Sequence, residues 1–312
     1  MEKTDKIVVV GSGNVGAHCG LFLLLTNTAG KVIYIDIDRE KAEGQIMDME
    51  DAAVFSGGGS LVEFGDYDDC RDADIVVVTA GRGRKPGETR ADLLTESLKI
   101  MAPIAEGIKN SGFSGILIVI SNPADVMTDF FAKRTGFPKN RVFSTGSMLD
   151  AARMRKIIAD MAGTDIENVD ALVMGEHGET QVPVFSNTTV DGVPFDEFCK
   201  NKSGVSKEEV VEKLRLRGAD IIKRKGRTEF GIGMSLCDLA GAVLRNEKRV
   251  IPVSAYLSGQ YGQRGLYAGV PCIVGREGIE AIVEYKLSDE ETSLFAKSCD
   301  EIRKYISIAD RC

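Results

Sequence analysis

Short apolar and β-branched runs alternate with longer segments of mixed polarity through the first half of the chain. The runs that we interpret as strands are Lys6–Val10, Val32–Ile35, Leu61–Phe64, Ile75–Val78, Ile116–Ile120 and Val142–Ser144. The segments that we interpret as helices are Ala17–Leu25, Arg39–Ala53 and Ala91–Ser111. Two runs, Ile75–Val78 and Ile116–Ile120, are continuously apolar, as is typical of strands buried on both faces. Strands that alternate with helices predict a doubly wound parallel sheet.

The pattern changes near residue 145, where shorter strands and longer helices replace this alternation. We predict helices at Leu149–Ala162, Glu208–Lys223, Gly231–Arg245 and Asp289–Ser307. We predict strands at Ala171–Met174, Val182–Asn187, Thr189–Val190, Arg249–Tyr256 and Tyr267–Val274. Because no low-complexity linker separates the halves, the sequence indicates an α/β protein with a doubly wound domain over residues 1–145 and an α+β domain over residues 146–312.

A glycine turn, Gly11-Ser-Gly13-Asn-Val-Gly16, follows the first strand and opens the first helix. Gly11 permits a tight turn, Gly13 lets the backbone approach a pyrophosphate, and Gly16 allows close packing of the helix. Asp36 ends the second strand, where its carboxylate would accept hydrogen bonds from a ribose and repel a 2′-phosphate. These features predict a Rossmann domain that binds NAD in preference to NADP.

One of the two histidines, His177, lies in the polar turn Gly175-Glu-His-Gly178 between two apolar runs. An imidazole takes and returns a proton near neutral pH, so His177 is a candidate general base. A structural histidine with both ring nitrogens satisfied is the alternative. His18, in the first helix, is assigned to packing or to the surface.

Charged and polar side chains follow three of the predicted elements. Arg84 and Arg90 lie in a glycine-containing segment after the fourth strand, which suits a loop that closes over a ligand. Asn122 follows the fifth strand, and Asp150 and Arg153 share one helix face. Solvated charges and an intrahelical salt bridge are the alternatives. Because ligands bind at the carboxyl ends of parallel strands, we expect these residues to form a substrate site beside the cofactor.

Composition narrows the class of protein. The chain has 312 residues, 43% of them hydrophobic, and a net charge of −8, which disfavours nucleic-acid binding. A charged hexapeptide leads directly into the first strand, with no signal peptide and no apolar run of membrane-spanning length, so we expect a cytoplasmic protein without membrane partners. Seven cysteines without a C-x-x-C pair, with only two histidines, predict no zinc or other metal site.

Together these motifs resemble the lactate/malate dehydrogenase family, and the similarity extends over essentially the whole chain. It covers Gly11–Gly16, Asp36, Lys85–Arg90, Ser121–Pro123, Leu149–Arg153, Gly175–Gly178 and Val253–Tyr256. The resemblance implies that His177 accepts the proton, Asp150 orients its imidazole, and Arg153 grips a substrate carboxylate. It also implies that Arg90 polarises the carbonyl and that Asn122 forms a hydrogen bond near the reacting oxygen.

The resemblance further implies a cofactor site and an assembly. The residues expected to contact NAD are Gly11, Gly13, Asn14, Val15, Gly16, Asp36, Thr79, Ala80, Gly81, Ser97, Ile120 and Asn122. Ser97 departs from the family, since many relatives have asparagine there. The second domain is expected to be the α+β substrate-binding domain, and the chain to form a homodimer or homotetramer.

Arg84 suggests a substrate. In this family glutamine immediately before Lys-Pro-Gly accompanies lactate, whereas arginine accompanies malate, and a second guanidinium would pair with the second carboxylate of oxaloacetate. We therefore expect a malate dehydrogenase of the tricarboxylic acid cycle that interconverts (S)-malate and oxaloacetate. An L-lactate or other L-2-hydroxy acid dehydrogenase is the alternative, and Glu88 resembles the lactate enzymes.

Two other classes of NAD-binding protein fit the residues of this chain less well. An NAD-dependent glycosidase has a similar first domain but carries Cys/His metal ligands that this chain poorly supplies. A non-catalytic NAD-binding module gives no reason for His177 and Asp150 to accompany three arginines.

Bacterial lactate enzymes that fructose 1,6-bisphosphate activates resemble the chain at Arg155, but Asp170 stands where they have histidine. A carboxylate repels phosphate, so we expect no such activation.

Overall fold

The computed structural model describes residues 5–57, 59–82, 90–202 and 204–311, with the backbone alone at residues 90 and 91. Six parallel strands form the first sheet in the order β3-β2-β1-β4-β5-β6. They are β1 (Lys6–Val10), β2 (Lys31–Ile35), β3 (Leu61–Phe64), β4 (Ile75–Val78), β5 (Ile116–Val119) and β6 (Val142–Phe143). The order reverses between β1 and β4, so the ligand crevice of this doubly wound sheet opens there.

Four helices cross between these strands, and the sequence predicted three of them. They are α1 (Asn14–Leu25), α2 (Arg39–Ser56), α3 (Arg90–Asn110) and α4 (Ala124–Thr135). The prediction missed α4 because buried polar residues interrupt its apolar pattern. Asp125, Thr128 and Asp129 are all buried in this helix. Helical periodicity cannot be recognised when polar residues occupy the inner face.

The second half contains two antiparallel sheets and five helices within the described residues. The sheets have the orders β7-β8-β9 and β10-β11-β12. The strands are β7 (Val169–Met174), β8 (Val182–Val190), β9 (Val193–Pro194), β10 (Arg249–Ser258), β11 (Arg264–Gly275) and β12 (Gly278–Ile282). The helices are α5 (Met148–Ala162), α6 (Phe195–Asn201), α7 (Lys207–Lys225), α8 (Phe230–Leu244) and α9 (Asp289–Ala309). This architecture confirms the predicted fold class.

The differences from the predicted elements are local. The two strands predicted over residues 182–190 are one strand, β8, and the short elements β9, α6 and β12 were not predicted. Short elements provide too few residues for a periodic signal.

Two isolated bridges connect the sheet of β10, β11 and β12 to the other two sheets. Ser144 pairs with Ser254 of β10, and Gly175, after β7, pairs with Gly269 of β11. A buried apolar core includes residues from the parallel sheet and from β10 and β11. The end of the parallel sheet and the turn after β7 are therefore both held against β10 and β11. In the described part of the chain, no helix has both the length and the apolar character that crossing a bilayer requires.

Candidate active site

The glycine turn after β1 has the geometry that a dinucleotide requires. Gly11 has φ of +107°, and a Cβ built there would lie 2.8 Å from the Ala80 nitrogen. A Cβ on Gly16 would lie 1.9 Å from the Gly11 carbonyl oxygen, so neither position tolerates a side chain. At Gly13, by contrast, no described atom lies within 4 Å of the built Cβ. The glycine at that position leaves the outer face of the turn accessible at the N-terminus of α1, as phosphate binding requires.

Asp36 is tied to this turn. One carboxylate oxygen accepts hydrogen bonds from the Ser12 backbone N–H at 2.5 Å and from the Ser12 hydroxyl at 2.8 Å. The other accepts from the Asp38 N–H at 2.9 Å. Burial is the largest influence on the pKa of Asp36 and would raise it, but the hydrogen bonds outweigh burial and lower the pKa. The carboxylate is therefore a fixed negative charge beside the glycine turn.

The other predicted cofactor residues follow β4 and β5, open α1 or lie in α3. Thr79 follows β4, and its hydroxyl donates to the Gly11 carbonyl at 2.9 Å. Ile120 and Asn122 follow β5, with Ile120 buried and Asn122 exposed. Ser97 is buried in α3. Asn14 and Val15 open α1, and Ala80 and Gly81 follow Thr79.

The second group of predicted residues meets on α5. The Nδ1 atom of His177 lies 2.6 Å from one oxygen of Asp150, and the Nη1 atom of Arg153 donates to the other oxygen at 3.1 Å. Asp150 is 2% exposed. It lies in the first turn of α5, and Arg153 follows one turn later on the same face. A single buried carboxylate therefore joins a histidine from the turn after β7 to an arginine of α5.

The charges of this group favour a protonated His177. The Asp150 charge is the largest influence on the pKa of His177 and raises it above 6.5, outweighing burial, which lowers it. Burial would raise the pKa of Asp150, but the charges of His177 and Arg153 and their hydrogen bonds outweigh burial and lower it. Because Nδ1 faces Asp150, Nε2 is the nitrogen that can exchange a proton with a substrate.

A second buried carboxylate at His177 was not predicted from the sequence. One oxygen of Asp125 in α4 accepts the backbone N–H of His177 at 2.9 Å, and the other accepts the Ser254 hydroxyl of β10. Burial raises the pKa of Asp125 to about 6, against these two hydrogen bonds, which lower it. The available sequence signal was the position of Asp125, three residues after Asn122 at the end of a buried strand.

Two predicted substrate residues cannot be placed. Arg84 lies outside the described residues, as do residues 85–89, which belong to the segment proposed to close over a ligand. Arg90 is the first residue of α3, but its side chain also lies outside the described part. The described geometry therefore includes the candidate base, the carboxylate bonded to it and one arginine, together with the glycine turn of the NAD-binding domain. It suits proton transfer to an oxygen of an anionic substrate that Arg153 holds.

Known proteins resemble the chain over nearly its full length. An L-lactate dehydrogenase 2 of Bacillus cereus is 41% identical over 303 residues, covering 96% of each chain. The minor L-lactate dehydrogenase of Enterococcus mundtii, in a ligand-bound crystal structure, is 36% identical with a TM-score of 0.94, covering 97% of this chain and 98% of that one. The lactate dehydrogenase of Cryptosporidium parvum, complexed with lactic acid and NAD, is 32% identical with a TM-score of 0.95 and full coverage of both chains.

These relatives contradict the expectation of a malate dehydrogenase of the tricarboxylic acid cycle, because they are named lactate dehydrogenases. That expectation depended on one side chain, Arg84, in a segment whose placement the structure does not describe. A guanidinium selects a second carboxylate only where it reaches that carboxylate in a closed pocket, and sequence position alone does not establish such a contact. The alternative, a lactate dehydrogenase, agrees better with the comparisons.

The family itself is confirmed by its two domains. Residues 5–144 match the lactate/malate dehydrogenase NAD-binding domain, and residues 147–310 match the lactate/malate dehydrogenase α/β C-terminal domain. The NAD-binding match also confirms the predicted cofactor. The chain belongs to the lactate/malate dehydrogenase family and is an NAD-dependent oxidoreductase.

Proposed function

We propose that the protein is an NAD-dependent L-lactate dehydrogenase that reduces pyruvate to L-lactate. The observation that carries this proposal is the contact of 2.6 Å between His177 and the buried Asp150, which also pairs with Arg153. The names of the relatives support pyruvate and lactate as the substrate pair. The bound lactic acid and NAD in the Cryptosporidium parvum enzyme support the same substrate and cofactor.

In the proposed reaction, NADH supplies the hydride that reduces the keto carbon. Arg153 binds the pyruvate carboxylate through its guanidinium and so fixes the orientation of the keto group. Protonated His177 donates the Nε2 proton to the keto oxygen as the alcohol forms. Asp150 holds the imidazole by Nδ1 and stabilises its charged form before the transfer. The imidazole afterwards takes up a proton from solvent, so one proton is consumed per pyruvate reduced.

The remaining site assignments also belong to this proposal. Arg90 would polarise the keto group and Asn122 would form a hydrogen bond near the reacting oxygen. The glycine turn would bind the pyrophosphate and Asp36 the adenosine ribose, since their geometry fits both groups. We also propose a division into domains near residue 145 and assembly as a homodimer or homotetramer.

The test measures NADH oxidation with pyruvate and, separately, with oxaloacetate. We expect kcat/KM for pyruvate to exceed that for oxaloacetate by at least ~10-fold, a difference of about 1.4 kcal/mol in transition-state binding. Preference for oxaloacetate would overturn the choice of substrate. Activity with neither acid would overturn the proposed reaction.

The role of His177 has its own test with a matched control. His177→Asn should lower kcat by at least ~100-fold, because general acid–base catalysis typically contributes that much, while NADH binding is retained. His18→Asn is the control, since the described hydrogen bond of His18 is to the Asn14 carbonyl of its own helix and its ring packs on Phe230. Similar kcat values for the two variants would remove His177 from the proposed role.

A further inference from the structure

The turn that carries His177 is held by a hydrogen bond to α9. Ser298 of α9 is fully buried, and its hydroxyl oxygen accepts the backbone N–H of Glu176 at 2.8 Å. Gly175, which precedes Glu176, has φ of +85°, and a Cβ built there would lie 2.4 Å from the same hydroxyl oxygen. The backbone beside His177 therefore packs directly on Ser298 with no room for a side chain between them.

The Glu176 side chain forms hydrogen bonds with Thr180, at the far end of its own turn. One of its carboxylate oxygens accepts the Thr180 hydroxyl at 2.5 Å and the Thr180 backbone N–H at 3.2 Å. The Glu176 side chain also lies against Gly178, where a built Cβ would be 2.7 Å from the carboxyl carbon. The buried carboxylate thus closes the turn around His177.

The hydrogen bonds form a closed ring with one consistent direction. The Thr180 and Ser298 hydroxyl oxygens lie 3.1 Å apart. Because the Thr180 hydroxyl donates to the Glu176 carboxylate, the Ser298 hydroxyl must be the donor to Thr180. Protons therefore point from the Glu176 N–H to Ser298, from Ser298 to Thr180, and from Thr180 back to Glu176. Each hydroxyl donates once and accepts once, so each bond strengthens the next.

This ring adds an anchor that the known contacts of His177 do not provide. Asp125 of α4 accepts the His177 backbone N–H, and Asp150 of α5 pairs with the imidazole nitrogen Nδ1. The hydrogen-bond ring of Glu176, Thr180 and Ser298 fixes the residues on both sides of His177 to α9. With the backbone held at these points, the imidazole has little freedom to move away from Asp150.

We propose that Ser298 and Thr180 are positioning residues for His177, holding the imidazole in place for proton transfer through the hydrogen-bond ring with Glu176. This inference rests on the proposed role of His177. Because both residues act through the turn that carries His177, their loss should lower kcat for pyruvate reduction and leave the KM for NADH unchanged.

The decisive variants either remove the Thr180 hydroxyl at nearly constant shape or keep the hydroxyl and remove the methyl group. Thr180→Val replaces the hydroxyl by a methyl group, whereas Thr180→Ser keeps the hydroxyl. We expect kcat to fall about 5- to 10-fold in Thr180→Val, the usual net value of one or two lost hydrogen bonds, and to recover within about 2-fold in Thr180→Ser. Ser298→Ala tests the ring independently and should resemble Thr180→Val. Ser293→Ala, an exposed serine of the same helix, is the control.

A pH profile separates positioning from a general loss of structure. Among the described residues, the charged groups that act on His177 are Asp150 and Arg153 of α5 and Asp125 of α4. Glu176, which precedes His177 in the same turn, acts on Asp125. Asp150 raises the pKa of His177, so an imidazole that drifts from Asp150 loses this effect. In Thr180→Val and Ser298→Ala, the fall of pyruvate reduction with rising pH should therefore begin at lower pH than in the wild type.

The outcomes are distinguishable. Wild-type kcat and pH profiles in both variants, with His177→Asn inactive, would overturn the positioning role and leave the proposed function intact. Equal loss in Thr180→Val and Thr180→Ser would also overturn it, because the hydroxyl would not matter. A fully active His177→Asn would overturn the proposed function first.

Discussion

At the scale of single residues, Asp150 determines how the site responds to pH. It pairs with His177 and Arg153 at once, and its charge raises the pKa of His177 above 6.5. Because folding raises the pKa of His177, its pairing with Asp150 stabilises the folded protein fully at pH values below the pKa of an unfolded histidine. This stabilisation is lost as the pH rises through the pKa of His177 in the folded protein. The protonated imidazole therefore persists above pH 6.5, where an unperturbed histidine would be neutral.

The first prediction concerns this titration. In the proposed reaction pyruvate reduction needs protonated His177, so its kcat/KM should fall as pH rises through the raised pKa, while lactate oxidation should rise over the same range. Asp150→Asn should move both transitions to lower pH and reduce kcat by at least ~100-fold, since the imidazolium loses its charge partner. Rate profiles of both directions provide the measurement. An unchanged transition in Asp150→Asn would show that Asp150 does not control the proton of His177.

A second prediction concerns cofactor choice at Asp36. Its fixed charge should favour NADH strongly over NADPH, and Asp36→Ser should narrow the ratio of kcat/KM for the two cofactors by at least ~10-fold by removing repulsion of the 2′-phosphate. Asp38→Ser is the control, because Asp38 is a nearby exposed acid that caps α2 through the Lys41 N–H. Equal kcat/KM values for NADH and NADPH in the wild type would contradict the prediction.

Residue types predicted part of the site but not its buried support. His177, Asp150 and Arg153 were found because their chemistry and spacing are visible locally, and the structure brings them together. Asp125 was missed because it binds a backbone N–H 52 residues away. Sequence pattern does not show which distant N–H a buried carboxylate will accept. Burial of an acidic residue also contradicts the usual tendency of acids to be exposed.

At the scale of elements, the strands of the parallel sheet were the most predictable. β1, β3 and β4 match the predicted ranges, and in β1 and β4 the reason is a buried apolar run bounded by polar turns. α4 was not predicted because polar residues occupy its buried face. The segment between β4 and α3 was predicted to carry substrate arginines, and residues 83–89 lie outside the described part.

The start of α5 gives an element-scale prediction about two fully buried serines. Ser147 is the N-cap of α5, but its hydroxyl makes no capping bond and has no partner among the described residues. Ser254 of β10 donates to Asp125. Ser147→Ala should raise the free energy of unfolding by about 1 kcal/mol, whereas Ser254→Ala should lower it by about 1–3 kcal/mol, because only the second leaves a buried acceptor unpaired. Thermal or urea unfolding measures both, and equal losses would refute the distinction.

The far side of α5 carries a prediction about regulation. Arg155 donates to the Val169 carbonyl at 2.8 Å and to the Ile166 carbonyl at 3.1 Å, so its guanidinium already binds the entry to β7. Asp170 in β7 adds a negative charge. Fructose 1,6-bisphosphate should therefore leave kcat and the KM for pyruvate within about 2-fold of their values without it. A steady-state titration tests this, and activation of 10-fold or more would show that a phosphate site forms despite Asp170.

At the scale of the whole molecule, the site depends on contacts between parts distant along the chain. Glu176 and Ser298 are 122 residues apart, yet their bond fixes the turn that carries His177. Local patterns predict each element, and their alternation predicts the parallel sheet, because both depend on short-range periodicity. Which helix will support which turn depends on tertiary packing. The ring of Glu176, Thr180 and Ser298 therefore becomes visible only in the folded chain.

The surface of α2 gives the last prediction, which concerns assembly. Met47 and Val54 lie seven residues apart on one helix face and are exposed, and the adjacent Phe55 is 91% exposed. Because contiguous exposed apolar side chains mark interaction surfaces, we expect this face to bind a second copy of the chain in a homodimer or homotetramer. Phe55→Lys should weaken self-association by at least ~10-fold, since it places a charge in an apolar contact. Leu294→Lys, at a partly exposed leucine of α9, is the control and should leave the mass of the assembly in solution unchanged. Sedimentation equilibrium measures both variants, and a monomeric wild type, or a Phe55→Lys variant with the wild-type mass, would rule out this face as the contact.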